Sequence, residues 1–123
     1  MPKKKILIAD DSQQIRKSLR EILEINQYDV IGEAGNGLEA IDMYKSLSPE
    51  PDIVLLDIIM PQLGGIETLR ILKSVNSDIR VVMVSALDSL DRVQECMKAG
   101  AKHYILKPFD ENKVVEIIRK VLG

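Results

Sequence analysis

Pro51-Asp52-Ile53-Val54-Leu55-Leu56-Asp57-Ile58-Ile59-Met60-Pro61-Gln62-Leu63-Gly64-Gly65 carries an unbroken apolar run into a single carboxylate. The run Ile53 to Leu56 is too short for a buried helix and too continuous for a strand with one wet face. It reads as a strand covered on both sides, as in the middle of a parallel sheet. Asp57 sits at its C-terminal end, and Met60-Pro61 and Gly64-Gly65 break regular structure directly after it. An acid at the carboxyl end of a central strand, followed by a shaped loop, lies where open α/β sheets place their chemistry.

Similar units flank this one. Lys5 to Ala9 is a compact aliphatic run, the first strand, and ends in Asp10-Asp11-Ser12. Ser12 is suited to cap the next helix, which buries Ile15, Leu19, Ile22 and Leu23 and closes at Asn26-Gln27. Tyr28 to Ala34 alternates weakly and contains Gly32, so it reads as an edge strand. Gly35-Asn36-Gly37 is a turn, and Ala40, Ile41, Tyr44 and Leu47 mark a second helix ended by Ser48-Pro49-Glu50-Pro51. The third strand is Asp52 to Asp57. Ile66, Leu69 and Leu72 mark the third helix, with Ser74 to Asp78 as its exit.

Arg80 to Ser85 is a fourth, nearly continuous strand. The fourth helix puts Leu90, Val93, Cys96 and Met97 on one face and stops at Gly100. His103 to Leu106 is the fifth strand, ending at Lys107-Pro108, and Val114, Ile117, Ile118 and Val121 form the stripe of the fifth helix. Strands alternating with helices in this way require an α/β fold: a doubly wound, five-stranded parallel sheet with right-handed crossovers and five helices on its two faces.

At 123 residues the chain reads as one domain, residues 1–123. A net charge of −2 does not favour nucleic acid or an anionic membrane surface. The single cysteine, Cys96, excludes an intrachain disulfide and suits a reducing cytoplasm. No apolar stretch is long enough to span a bilayer, and the apolar run behind the basic start is too short for a signal peptide.

Parallel strands bring their C-terminal ends to one edge. That edge collects Asp10 and Asp11 from the first strand, Asp57 from the third, Ser85 from the fourth and Lys107 from the fifth. Three carboxylates packed together repel, so the cluster needs a cation or a proton. Oxygen ligands with no adjoining His or Cys point to Mg²⁺ or Mn²⁺. Lys107 and Ser85 add a positive charge and a hydrogen-bond donor opposite, which suits a tetrahedral anion on Asp57. A carboxylate is a competent nucleophile toward phosphorus, and the lysine and hydroxyl would stabilise charge on a transferring phosphoryl group.

The acidic pair Asp10-Asp11, the loop Asp57 to Gly65, Ser85-Ala86, Gly100-Ala101 and Tyr104-Ile105-Leu106-Lys107-Pro108-Phe109 resemble the receiver domain of two-component response regulators, the CheY-like family. The resemblance covers essentially the whole chain. It implies a sheet order of 2-1-3-4-5. It makes Asp57 the phosphoacceptor and a phosphohistidine of a histidine kinase or histidine phosphotransfer protein the donor. It makes Asp11 and Asp57 direct ligands of Mg²⁺ (or Mn²⁺), with the backbone carbonyl of Ile59 as a third ligand and Asp10 acting mainly through a coordinated water. Lys107 would pair with the phosphoryl group, and the Lys107-Pro108 bond would be cis. Ser85 and Tyr104 would be the switch pair that alters the surface of the fourth helix, fifth strand and fifth helix.

Two positions depart from the family's usual pattern: Ile59, two residues after Asp57, and Leu87, two after Ser85, are both apolar. The expectation is that they shield the phosphoryl group and slow its hydrolysis. A cytoplasmic module follows, catalysing only its own phosphorylation and dephosphorylation. Its downstream target is unidentified, and a phosphorylation-dependent dimer is one output. It would act alone, in chemotaxis or a phosphorelay, or as the receiver of a transcriptional regulator, without itself contacting membrane or nucleic acid.

Two other functions compete. A metal-dependent phosphohydrolase acting through an aspartyl-phosphate usually carries a second acid where this chain has Ile59. A nucleotide- or flavin-binding domain needs a loop rich in glycine or hydroxyls after the first strand, and here that loop is acidic. Elsewhere the plain readings stand. Arg16, Lys17 and Arg20 form a solvated helix face, with a kinase contact as the lesser alternative. Cys96 is a core residue, His103 is at or near the surface, and Phe109 packs the start of the fifth helix.

Overall fold

The computed structural model describes residues 2–123. Its elements are β1 (Lys5–Ala9), α1 (Gln13–Ile25), β2 (Asp29–Ala34), α2 (Gly37–Ser46), β3 (Ile53–Leu56), α3 (Gly65–Val75), β4 (Val81–Ser85), α4 (Leu90–Lys98), β5 (His103–Leu106) and α5 (Glu111–Leu122). All strand pairs are parallel, in the order β2-β1-β3-β4-β5. The fold is therefore the five-stranded doubly wound sheet that the alternation of patterns and the family resemblance imply.

The alternation of side chains along each strand splits the interior in two. Leu7, Ala9, Val54, Leu56 and Met83 face a core completed by α2, α3 and α4. Ile6, Ile8, Ile53, Leu55, Val82 and Val84 face a second core closed by α1 and α5. Both faces of β3 are buried, which is why its apolar run is continuous. The weak alternation of β2 also has a cause. Ile6 pairs with Val30 and Leu7 with Gly32, so the register shifts past Ile31, and one extra residue puts the pattern out of phase.

Local signals set several boundaries. Ser12 caps α1 by accepting from the Ile15 N–H at 3.2 Å. Asn36 accepts from the Glu39 N–H at 2.9 Å while Glu39 accepts from the Gly35 N–H at 2.8 Å. That reciprocal arrangement is close to a capping box, so the segment read only as a turn is also a helix start. Gly100, at φ +110°, ends α4. Its N–H donates to Met97 O and the Ala101 N–H donates to Cys96 O, at 3.1 Å each, the paired bonds of a Schellman stop.

The apolar face expected for α4 is corrected by the structure. Cys96 is buried and Val93 half-buried, but Leu90 is 69% and Met97 43% exposed. At about 100° per residue, Met97 lies a quarter-turn and Leu90 a third of a turn from Cys96. α4 turns its Cys96 and Ala99 side to the core, leaving the other half of the stripe outside. The second helix likewise stops at Ser46, with Leu47 as its cap residue packed on the core.

Candidate functional site

Asp10 follows β1, Asp57 follows β3, Ser85 ends β4 and Lys107 follows β5, so the sheet brings all four to one edge. Lys107 Nζ donates to Asp10 Oδ2 at 2.8 Å and to Asp57 Oδ2 at 3.2 Å. The remaining carboxylate oxygens accept from backbone: Asp10 Oδ1 from the Ser12 N–H at 2.9 Å and Asp57 Oδ1 from the Ile58 N–H at 2.7 Å. Asp10 and Asp57 are only 1% and 6% exposed, whereas Asp11 stands at the surface. Oxygens of Asp10, Asp11 and Asp57 all lie within 4.8 Å of one another.

Two buried carboxylates thus share one ammonium. Burial pushes the Asp57 carboxyl above its ordinary value, and the charge of Asp10 pushes the same way against the pull of Lys107. Burial works against the Lys107 ammonium, but its bonds to Asp10 and Asp57 outweigh that and hold its pKa above the usual lysine value. Negative charge left over, an all-oxygen donor set and one acid open to solvent fit a hard divalent cation. Asp10, Asp11 and Asp57 could hold such an ion.

Ser85 is buried, and its Oγ accepts from the Leu87 N–H at 3.3 Å. The Tyr104 hydroxyl donates to the carbonyl of the same residue, Leu87, at 2.5 Å. One peptide segment therefore joins Ser85 to Tyr104. The Lys107 N–H donates to Ser85 O at 2.8 Å, which ties the end of β5 to the end of β4. Burial raises the Tyr104 phenol above its ordinary pKa. The Lys107–Pro108 peptide bond is cis.

Ile59 lies in the loop after Asp57 with 64% of its surface exposed, while Leu87 is half-buried. The loop is pinned at its far end, where the Gly65 N–H donates to Ile58 O at 2.7 Å. A side chain at Gly65 would drive its Cβ into Asp57 O and bring it within 2.7 Å of the Ile58 Cα, so backbone occupies that space. Gly37 plays the same part between α2 and the loop, since a Cβ there would overlap Thr68 Oγ1 and fall 2.5 Å from Leu63 O. In the sequence Gly37 reads only as part of a turn and Gly65 only as a breaker.

The basic face of α1 is the clearest correction. Arg16 and Arg20 are not a solvated pair: Arg16 Nε donates to Glu33 Oε1 at 3.1 Å and Arg20 Nε to Glu33 Oε2 at 2.6 Å. Arg16 Nη1 also donates to Asp10 O at 2.6 Å. Only Lys17 of the three fits the solvated reading. Glu33 could not be matched to Arg16 from the sequence, because helix periodicity carries no information about the neighbouring strand.

The chain matches the response regulator receiver domain family over residues 6–119. It is 41% identical over 118 residues to the chemotaxis protein CheY of Thermotoga maritima, spanning 96% of this chain and 97% of that protein. It is 40% identical over 119 residues to the chemotaxis protein CheY of Bacillus subtilis, spanning 97% of this chain and 98% of that one. The structure is also similar to a chain in the crystal structure of a CheX–CheY–BeF3–Mg²⁺ complex from Borrelia burgdorferi. There the TM-score is 0.95 at 38% identity, over 98% of this chain and 90% of that one.

Proposed function

Because this chain belongs to the response regulator receiver domain family of two-component signalling, we propose that it is a covalent switch in which Asp57 accepts a phosphoryl group from a phosphohistidine. The observation that carries the proposal is the pairing of a nearly buried Asp57 with Lys107 beside Asp10 and Asp11, on the sheet edge where Asp11 opens the cluster to solvent.

In the transfer, a carboxylate oxygen of Asp57 forms a bond to phosphorus as the phosphorus–nitrogen bond of the donor breaks. The electron pair stays on the leaving imidazole, which takes up a proton. Lys107 is placed to exchange its bond with the Asp57 carboxylate for one with a phosphoryl oxygen. The Ser85 hydroxyl, which accepts from the Leu87 N–H, turns to donate to another. Asp10, Asp11, Asp57 and the Ile59 carbonyl would hold Mg²⁺ or Mn²⁺, which would supply positive charge against that of the transferring group. Movement of Ser85 loosens the Leu87 segment that Tyr104 grips, and so alters the surface of α4, β5 and α5. The donor is a kinase or phosphotransfer protein, and the altered surface recruits the target.

The rival, an aspartyl-phosphate phosphohydrolase, needs a general acid two residues after the nucleophile. The outward-facing Ile59 cannot supply one. Incubation with Mg²⁺ and a small phosphoramidate separates the two. One alkali-labile phosphate per chain, dependent on Mg²⁺, is the expected result, and sustained release of phosphate from a phosphomonoester would overturn it.

Ile59 and Leu87 set how long the phosphoryl group lasts. Ile59, exposed two residues after Asp57, carries no group that could orient an attacking water. An asparagine amide there gains one hydrogen bond to that water, worth about 1 kcal/mol, or roughly a fivefold faster loss. Following the decay of labelled protein in wild type and Ile59→Asn checks this. Equal or slower loss in the variant removes the shielding role.

A further inference from the structure

The acidic loop is held from behind as well as from within the site. The Asp10 residue is gripped at both ends of its backbone: its N–H donates to Ala34 O at 3.0 Å, and its carbonyl accepts from Arg16 Nη1 at 2.6 Å. Arg16 is itself oriented by Glu33 on β2, whose second oxygen is taken by Arg20. The Asp10 carboxylate is fixed separately, by the Ser12 N–H and Lys107. The carbonyl that Arg16 holds belongs to the planar unit joining Asp10 to Asp11. Its orientation sets the direction in which the backbone, and then the side chain, of Asp11 leaves.

We infer that Arg16 is a positioning residue for the divalent-cation site: through the Asp10 carbonyl it aims Asp11, the one solvent-exposed acid of the cluster. This rests on the reading of Asp10, Asp11 and Asp57 as a cation site. The planar guanidinium is suited to the task because it spans two acceptors on different elements at once, the Asp10 carbonyl and the Glu33 carboxylate. A lysine ammonium offers the same charge without the fork. Arg16 does not touch the ion.

Charge and positioning predict opposite signs. Arg16 is a cation close to a cation site, so Coulomb repulsion alone makes its removal tighten metal binding. Loss of a group that orients a ligand typically weakens binding by about 10- to 100-fold. Mn²⁺ titrated into metal-free full chain, with the free ion read by electron paramagnetic resonance, distinguishes them. Circular dichroism shows that each variant is folded. Arg16→Ala is expected to bind Mn²⁺ about tenfold more weakly, and Arg16→Lys to fall between it and wild type. The Mg²⁺ concentration that half-saturates phosphorylation should rise in step, with the rate at saturation little changed.

Binding that is unchanged or tighter in folded Arg16→Ala overturns the inference. If that variant does not fold, Arg16→Lys decides: weaker binding upholds the inference, and wild-type binding overturns it. A wild-type chain that binds no Mn²⁺ overturns the cation site itself, and this inference with it.

Discussion

Asp57→Asn is expected to abolish acyl-phosphate formation and, in the absence of metal, to make the protein more stable. An amide has no nucleophilic oxygen to offer phosphorus, so stoichiometric labelling should fall to background while circular dichroism stays that of the wild type. The gain in stability follows from the charge arrangement. In the wild type, Lys107 faces both Asp10 and Asp57. In the Asp57→Asn variant the ammonium keeps Asp10, and the excess buried negative charge is gone. Relief of a like-charge contact in a partly screened site is worth about 1 kcal/mol or more, a rise in Tm of roughly 4 °C for a domain of this size.

The gain should depend on pH with a definite sign. Because burial and Asp10 raise the folded-state pKa of Asp57 above its ordinary value, the folded protein holds that proton more tightly than the unfolded chain. Ionising Asp57 therefore costs stability. The cost is absent below the ordinary carboxylate value and grows as pH rises through it to the raised folded value. The advantage of Asp57→Asn should widen from acid to neutral pH in chelator and shrink when Mg²⁺ is added, since Mg²⁺ bound at the proposed site would stabilise the wild type by mass action. Urea unfolding at both pH values, with and without Mg²⁺, reads all of this. A variant less stable than wild type in chelator at neutral pH would contradict the account.

Gly65→Ala is expected to damage both the fold and the site, although alanine is the better helix former by about 1 kcal/mol. The added Cβ meets the Asp57 carbonyl and the Ile58 Cα, both backbone, so no side chain can swing aside. Relief requires α3 to move off or the loop to open, at about 3 kcal/mol, leaving a net loss of about 2 kcal/mol. The atoms that must shift include Asp57's own peptide, so the phosphorylation rate should fall in the protein that remains folded. Gly64→Ala is the control. There the Cβ would meet the end of the Glu67 side chain at 2.8 Å and Ile58 O only at 3.5 Å, so stability should change little. Denaturant midpoints for both variants, with labelling rates for the folded fraction, check the contrast. Similar losses at the two positions would show that the close approach at Gly65 is not what matters.

These two sites differ in how they announce themselves. Asp57 was legible because it interrupts an apolar run at a strand end, and the other acids, Ser85 and Lys107 fall at equivalent points of separate units. Gly65 was legible only as a breaker next to Gly64; nothing local separates the glycine that backbone crowds from its neighbour. The stripe of α4 misled for a similar reason. Its four apolar residues are close enough in angle to look like one face, yet the sheet covers only the Cys96 side, leaving Leu90 and Met97 outside. The Glu39 partner of Asn36, by contrast, was a readable capping signal that the turn obscured.

The sequence by itself determined the element order, the parallel sheet, the buried central strand and the set of chemistry-bearing residues at its edge. Each is written in spacing along the chain: apolar period, breaker and cap, repeated five times. Only the tertiary structure decided which acids share an ammonium, with Lys107 reaching Asp10 across 97 positions. It alone showed that Arg16 grips the acidic loop and that Gly65 must remain bare. Those are meetings between segments from different elements. Local periodicity says which face of an element turns inward, but the atoms it meets there depend on how the other elements pack.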